Sequence, residues 1–169
     1  DMSRHHGAHP RMGATDVCPF VPVSGITLAE CAELARQLGQ RVADELGIPV
    51  YAYEASALRP ERKNLAVCRR GEYEGLAERM GGSDGADYGD RAWDEQLART
   101  GATAIGARDF LIAVNFNLNS TSTRRANAIA FDVREKGRPM REGGKLTGKP
   151  LKDENGKPLM QPGTLKGTK

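Results

Sequence analysis

His5, His6 and His9 are the three histidines of this 169-residue sequence, and they crowd into five consecutive positions. Three kinds of chemistry are open to such a group. His5 and His9 have the i, i+4 spacing that shares a metal ion on a helix. Gly7 and Pro10 interrupt any such helix, and no thiol or carboxylate stands at ligand spacing nearby. One of the three could instead serve as a general base, because an imidazole titrates near neutrality. They could also be solvated loop residues with no chemical task. Spacing alone leaves all three open.

Other chemistries are more easily set aside. The three cysteines, Cys18, Cys31 and Cys68, form no CxxC pair, and two of them sit in apolar patterns. Buried free thiols in a reducing cytoplasm are the expected state. Net charge is +3, with the excess in Arg134–Lys169, where 10 Lys/Arg face 4 Asp/Glu. Without aromatic stacking residues or a recognition motif, this stretch reads as solvated, and no nucleic-acid partner is expected. No run approaches the ~18 apolar residues of a membrane span, so no membrane partner is expected either.

Elements must position whatever chemistry there is. Asp1–Ala14 is polar and reads as a loop. Asp16–Val23 (DVCPFVPV) is extended and apolar, but Pro19 and Pro22 lack donors, so it belongs at a sheet edge or is irregular. Thr27–Leu46 reads as the best helix. Thr27 and Glu30 form a capping box, Gly47 supplies a left-handed stop, and Leu28, Cys31, Leu34, Ala35, Leu38, Val42 and Leu46 recur at helical spacing. Ile48–Tyr53 follows as a strand, and strand–helix–strand order favours a parallel pair.

Short helices are expected over Pro60–Arg69 and Glu72–Met80, broken at Gly71, followed by a flexible loop over Gly81–Asp90. Phe110–Asn117 (FLIAVNFN) reads as the most convincing strand, and Ser122–Lys136 as a helix ended by Gly137. The near repeat GKPL at 148–151 and 156–159 brackets Asn155-Gly156, which suits a type I′ hairpin. The expected class is therefore α/β (α+β), a mixed β-sheet with helices packed on one face. Residues 1–137 form the main subdomain, and 138–169 a basic Gly/Pro-rich hairpin insertion with the end of that subdomain.

Three strings then point to a family. Ala8–Val23 (AHPRMGATDVCPFVPV), Gly101–Asn119 (GATAIGARDFLIAVNFNLN) and, between them, Gly71–Leu76 (GEYEGL) resemble the glutamate formiminotransferases. The resemblance runs in register from Asp1 to about Gly137 and more loosely through Gly163–Gly167. The fold it implies is an incomplete formiminotransferase N-terminal subdomain. The chain starts inside a motif and reads as a piece of a longer protein, expected to carry the signature of activity without being active alone.

The resemblance implies transfer of a formimino group from N-formimino-L-glutamate to N5 of tetrahydrofolate, a step of histidine degradation in the cytoplasm, with tetrahydrofolate as co-substrate and no metal. The catalytic histidine of the family falls on His9. A folate-binding stretch falls on Gly89–Gly101, bringing in Gly89, Asp90, Leu97, Thr100 and Gly101. Both ligands carry carboxylates, so Arg11 and Arg108, inside matched motifs, are candidate substrate contacts, with the Tyr53 hydroxyl beside them. Asn115 and Asn117 would make one face of their strand polar. Asp16, the near acid of the motif, is read as structural. The implied partners are a C-terminal formiminotransferase subdomain and a second copy in a homodimer. The alternative is a non-catalytic folate- or protein-binding module that keeps the scaffold.

The chemistry suits these residue types. The N5 amine of a reduced pterin is neutral near pH 7 and attacks the amidine carbon directly. The ammonium centre so formed must lose a proton, and the departing glutamate nitrogen must gain one. A histidine can do both.

Overall fold

A computed structural model describes residues 1–7, 9–144 and 148–167; Ala8 of the histidine motif lies outside them. The chain divides into two compact units, Asp1–Ile112 and Ala113–Lys169.

The first unit is built on three parallel strands, β1 (Val17–Phe20), β2 (Val50–Glu54) and β3 (Thr103–Ala107), in the order β1-β3-β2. The Pro-interrupted β1 lies at an edge, as its missing donors require. β1 and β2 run parallel as expected, yet they do not pair, because β3 inserts between them with Cys18 and Ala52 both opposite Ile105.

This is the main departure from the sequence reading. The third strand is Thr103–Ala107, and Phe110–Asn117 pairs with no strand among the described residues. Ile112 and Phe116 of that run are 89% and 82% exposed. Strand propensity in bulky apolar residues is realised only when a partner and a covering layer are present. β3 meets that requirement with small residues instead. All five are buried, and a Cβ on Gly106 would stand 2.3 Å from the Tyr53 carbonyl oxygen and 2.5 Å from its ring. A central parallel strand covered on both faces needs little side-chain volume when its neighbour contributes tyrosines.

One long helix, α1 (Leu28–Leu46), covers one face. Its start and stop are the expected ones: Thr27 and Glu30 form the reciprocal capping box, and Gly47 takes φ +62°. The buried stripe is Cys31, Ala32, Ala35, Gly39 and Ala43, while Leu28, Leu34 and Leu46 are exposed. Small residues let the helix approach closely; a Cβ at Gly39 would already touch the Tyr88 ring at 3.1 Å.

The other face is closed by α2 (Leu65–Cys68), α3 (Leu76–Arg79), α4 (Glu95–Thr100) and the loops between them. They join Met12, Tyr51, Tyr53 and Ala104 in a second core cluster through Cys68, Leu76 and Leu97. Alternation along β2 explains both layers: Tyr51 and Tyr53 enter this cluster, and Val50 enters the one under α1.

The Gly81–Asp90 loop is irregular but firmly held. The Asp87 carboxylate accepts from Ala52 N at 2.8 Å and pairs with Arg62 at 2.6 Å, both side chains being almost fully buried. The guanidiniums of Arg62 and Arg79 both lie over the Tyr51 ring, each 4.7 Å from its centroid. Arg79 also binds Asp84 at 2.8 Å. Burial pushes the Tyr51 hydroxyl up to about 12 against the opposing pull of these two cations.

The second unit contains α5 (Thr123–Val133), capped by Ser122 and followed by Gly137 at φ +64°, and the short antiparallel pair β4 (Arg138–Pro139) and β5 (Met160–Gln161). Its hairpin is present, with Leu159 N donating to Leu151 O at 2.9 Å, but the turn differs from the expected type I′. Gly156 N donates to Asp153 O at 3.0 Å, and Gly156, at φ +77°, is the left-handed residue of the turn, not Asn155. The Asp153 carboxylate decides this by accepting from Asn155 N and Lys157 N at 2.9 and 2.8 Å.

No helix among the described residues is long and apolar enough to cross a membrane.

Candidate functional site

The histidine motif is an irregular segment whose backbone is fixed on three sides. Tyr73 N donates to Arg11 O at 2.9 Å, Ala102 N to Met12 O at 3.0 Å, and Ala14 N to Thr100 O at 2.9 Å. Asp16 braces it from within, accepting from Met12 N at 2.9 Å through one oxygen and pairing with Arg69 through the other. Met12 is fully buried and nails the segment to the core.

The closest approach is between two glycines. Gly13 and Gly101 form an isolated bridge. A Cβ on Gly13 would lie 2.0 Å from the Ala102 carbonyl oxygen, and one on Gly101, which has φ +66°, 2.3 Å from the Met12 carbonyl oxygen. Only residues without a side chain permit this crossing. It brings the loop of His9 against Thr100 and Gly101 at the end of α4.

His9 is exposed, and its Nδ1 lies 2.8 Å from its neighbour's carbonyl, Pro10 O. A carbonyl can only accept, so Nδ1 is the donor of this contact, and in the neutral ring Nε2 is then the nitrogen with the lone pair. His5 is engaged differently, with Nδ1 accepting from Arg11 Nε at 3.3 Å. No group of three His, Cys, Asp or Glu suited to a metal ion occurs among the described residues.

Arg11 is 8% exposed and its donors are occupied. It forms a two-pronged pair with Glu74 at 2.7 and 2.8 Å, meets Glu72 at 3.3 Å, and reaches His5 O at 3.3 Å. The paired guanidinium holds the Glu74 carboxyl down at about 2. In this arrangement Arg11 ties the histidine segment to the Glu72–Glu74 turn. That turn was visible in the sequence as GEYE, but nothing in its spacing named Arg11 as the partner.

The other candidates fall into two groups. Gly89 and Asp90 are exposed at the end of the pinned loop, where the Asp90 carboxylate accepts from Gly81 N and Ala86 N at 3.2 and 3.0 Å. Leu97 is fully buried in the core beside Met12, while Thr100 and Gly101 end α4 under the histidine segment. Tyr53 and Arg108 belong to the sheet's C-terminal edge. Tyr53 is fully buried and its hydroxyl has no hydrogen-bond partner among the described residues, nor has Arg108 Nε. Burial raises the Tyr53 hydroxyl above its ordinary range, and the Arg108 charge opposes the rise. Asn115 and Asn117 are exposed in the irregular run after Arg108.

A cleft of about 350 Å³ opens beside the histidine segment, lined by Pro10, Leu65, Ala66, Arg69, Gly71 and Glu72. Neither Arg69 nor Glu72 stands out in the sequence as a site residue. Arg69 gains its place only because Asp16, 53 residues away, receives its guanidinium.

Comparison with known proteins gives this geometry a context. The family model described as the formiminotransferase domain, N-terminal subdomain, matches residues 1–108. A glutamate formimidoyltransferase of Streptococcus pyogenes is 51% identical over 138 residues, covering 81% of this chain and 45% of that protein. The formimidoyltransferase-cyclodeaminase of Sus scrofa is 50% identical over 147 residues, covering 86% of this chain and 26% of that protein. A glutamate formimidoyltransferase of Thermoplasma acidophilum is 45% identical over 139 residues, covering 80% of this chain and 45% of that protein. The chain thus spans less than half the length of these relatives.

Proposed function

We propose a function whose premise is family membership: the chain belongs to the formiminotransferase family, through its N-terminal subdomain. The protein of which it is part transfers the formimino group of N-formimino-L-glutamate to N5 of tetrahydrofolate, in the degradation of histidine. The single observation that carries this reading is His9. It is exposed, its Nδ1 is engaged by Pro10 O, and its segment is locked against Thr100–Gly101.

The steps follow from that arrangement. N5 of the folate attacks the amidinium carbon, forming the new C–N bond and a tetrahedral centre. His9 Nε2 takes the proton that N5 must shed and returns it to the glutamate nitrogen. The old C–N bond then breaks, giving 5-formiminotetrahydrofolate and L-glutamate. No oxygen anion develops, so no oxyanion hole is required.

Gly89, Asp90, Thr100 and Gly101 form the folate side of the site, with Leu97 seating α4 behind them. Arg11 serves the site by holding the His9 segment through Glu74. Tyr53 and Arg108 contribute unpartnered buried donors at the sheet edge for a ligand carboxylate. The C-terminal subdomain and a second copy are the protein partners in this reading. Three free cysteines accord with a reducing, cytoplasmic setting.

The test is His9→Ala in the full-length protein, with turnover and tetrahydrofolate binding measured together. A loss of turnover of about 10²-fold or more with folate affinity little changed is expected. Unchanged turnover would overturn the assignment. Folate binding without turnover in the unsubstituted protein would favour a binding module that has kept the scaffold.

A further inference from the structure

We infer that the cleft beside the histidine segment is the pocket for the glutamate moiety of the formimino donor, and that Arg69 determines specificity for its carboxylate. The inference rests on the function proposed above and deepens it.

The wall chemistry is that of an amphipathic, charged amino acid. Pro10, Leu65 and Ala66 supply apolar surface for methylenes. Arg69 supplies a directed cation. One amino group of its guanidinium is held by Asp16, while Nε is buried and has no acceptor among the described residues. The side chain as a whole keeps 20% of its surface exposed, so a carboxylate entering the cleft meets the open part of the guanidinium and gains a charge-assisted hydrogen bond there. A cleft of about 350 Å³ is roomy enough for a glutamate-sized ligand.

Glu72 is the second sign. It lines the same cleft and has φ +55°, a left-handed backbone that L-residues with long side chains seldom adopt. Such strain collects where a side chain must be presented in a set direction. The Glu72 carboxylate meets Arg11 at 3.3 Å through one oxygen, and its other oxygen is the counter-charge for the amidinium that the donor carries at its nitrogen. The cleft therefore offers a cation for one end of the donor and an anion for the other, next to the residue that follows His9.

Because Arg69 also braces Asp16, its replacement could loosen the histidine segment. The experiment therefore compares two donors within each variant of the full-length protein: N-formimino-L-glutamate and N-formiminoglycine, which lacks the side-chain carboxylate. The unsubstituted protein should favour the glutamate donor in kcat/KM by about ten- to a hundredfold, the range of one hydrogen bond to a charged group. In Arg69→Gln that ratio should fall to within a few-fold of unity, and a mere loosening would lower both donors alike. An independent variant, Ala66→Leu, fills the cleft from an exposed position and keeps both side chains of the Arg69–Asp16 pair. It should raise KM for the glutamate donor several-fold and leave that for tetrahydrofolate unchanged. A donor ratio that survives Arg69→Gln, or an unmoved KM in Ala66→Leu, would overturn the assignment. Absence of formimino transfer in the unsubstituted protein would instead defeat the function proposed above.

Discussion

Gly13→Ala probes the joint on which the candidate site depends. The added methyl carbon would stand 2.0 Å from the Ala102 carbonyl oxygen, against about 3.4 Å for an ordinary carbon–oxygen contact. The contact is with backbone, so no rotamer change relieves it, and the segments must part by more than about 1 Å. The hydrogen bonds Ala102 N to Met12 O and Ala14 N to Thr100 O, now 3.0 and 2.9 Å, would then be lost. Two such bonds contribute about 1–3 kcal/mol, and desolvation of the groups left unmatched adds about 1 kcal/mol or more. The stiffer unfolded chain of the alanine variant returns about 0.4–1 kcal/mol, leaving a net cost of about 2–3 kcal/mol.

Urea unfolding should register that cost as a midpoint lowered by about 1 M or more, for a slope near 2 kcal/mol/M. Gly82→Ala is the control. Gly82 has no positive φ, and its new methyl would meet only the Arg79 carbonyl oxygen at 3.4 Å, an ordinary contact. Its midpoint should hold or rise slightly. In the full-length protein Gly13→Ala should also lower turnover by about 10²-fold with His9 intact, because the histidine segment is displaced by about 1 Å. Equal midpoints for the two alanine variants would refute the reasoning.

Three further outcomes can be checked. Asp87→Ala should cost about 3–5 kcal/mol in urea unfolding, because it strands the buried Arg62 cation, whereas Arg62→Met with Asp87→Leu should cost much less; equal costs would show that Arg62 finds another partner. Burial pushes the Cys68 thiol up to about 11, so a thiol reagent at pH 8 should label half-buried Cys18 rapidly and Cys68 only on unfolding; comparable rates would contradict the packing of α2. The Arg11 pair lowers the Glu74 carboxyl from 4.5 to about 2, so its stabilisation is present above pH 4.5 and disappears as pH falls toward 2. The midpoint gap between the unsubstituted chain and Glu74→Gln should be constant above about pH 5 and close across that window; a gap that persists at pH 2 would rule the pair out as its source.

Much of the scaffold was legible because it is written in local signals. The capping box of Thr27 and Glu30 and the stop at Gly47 depend on residues a few positions apart, and both appear as read. β3 was illegible for the opposite reason. Its alanines and Gly106 are suited to a strand only because Tyr51 and Tyr53 occupy the volume beside them, a fact of tertiary packing. Phe110–Asn117 has the composition of a strand, but among the described residues no strand pairs with it. The candidate site divides in the same way. His9 stood out through its motif, but the meeting of its segment with Thr100–Gly101 is a crossing of two glycines, Gly13 and Gly101, far apart in the chain. The pairings of Arg11 with Glu74 and of Arg69 with Asp16, separated by 63 and 53 residues, have no local trace.

The charged cage around Tyr51 has a consequence for descent. Arg62, Arg79 and Asp87 are almost fully buried and pair with one another or with half-buried Asp84, around a ring within reach of both cations. A lineage that loses one member keeps a stranded charge, so single changes should be purged and the survivors should change together. Across relatives these four positions and Tyr51 should therefore be inherited as a block. Arg41 and Glu45, a pair on the open surface of α1, should drift independently.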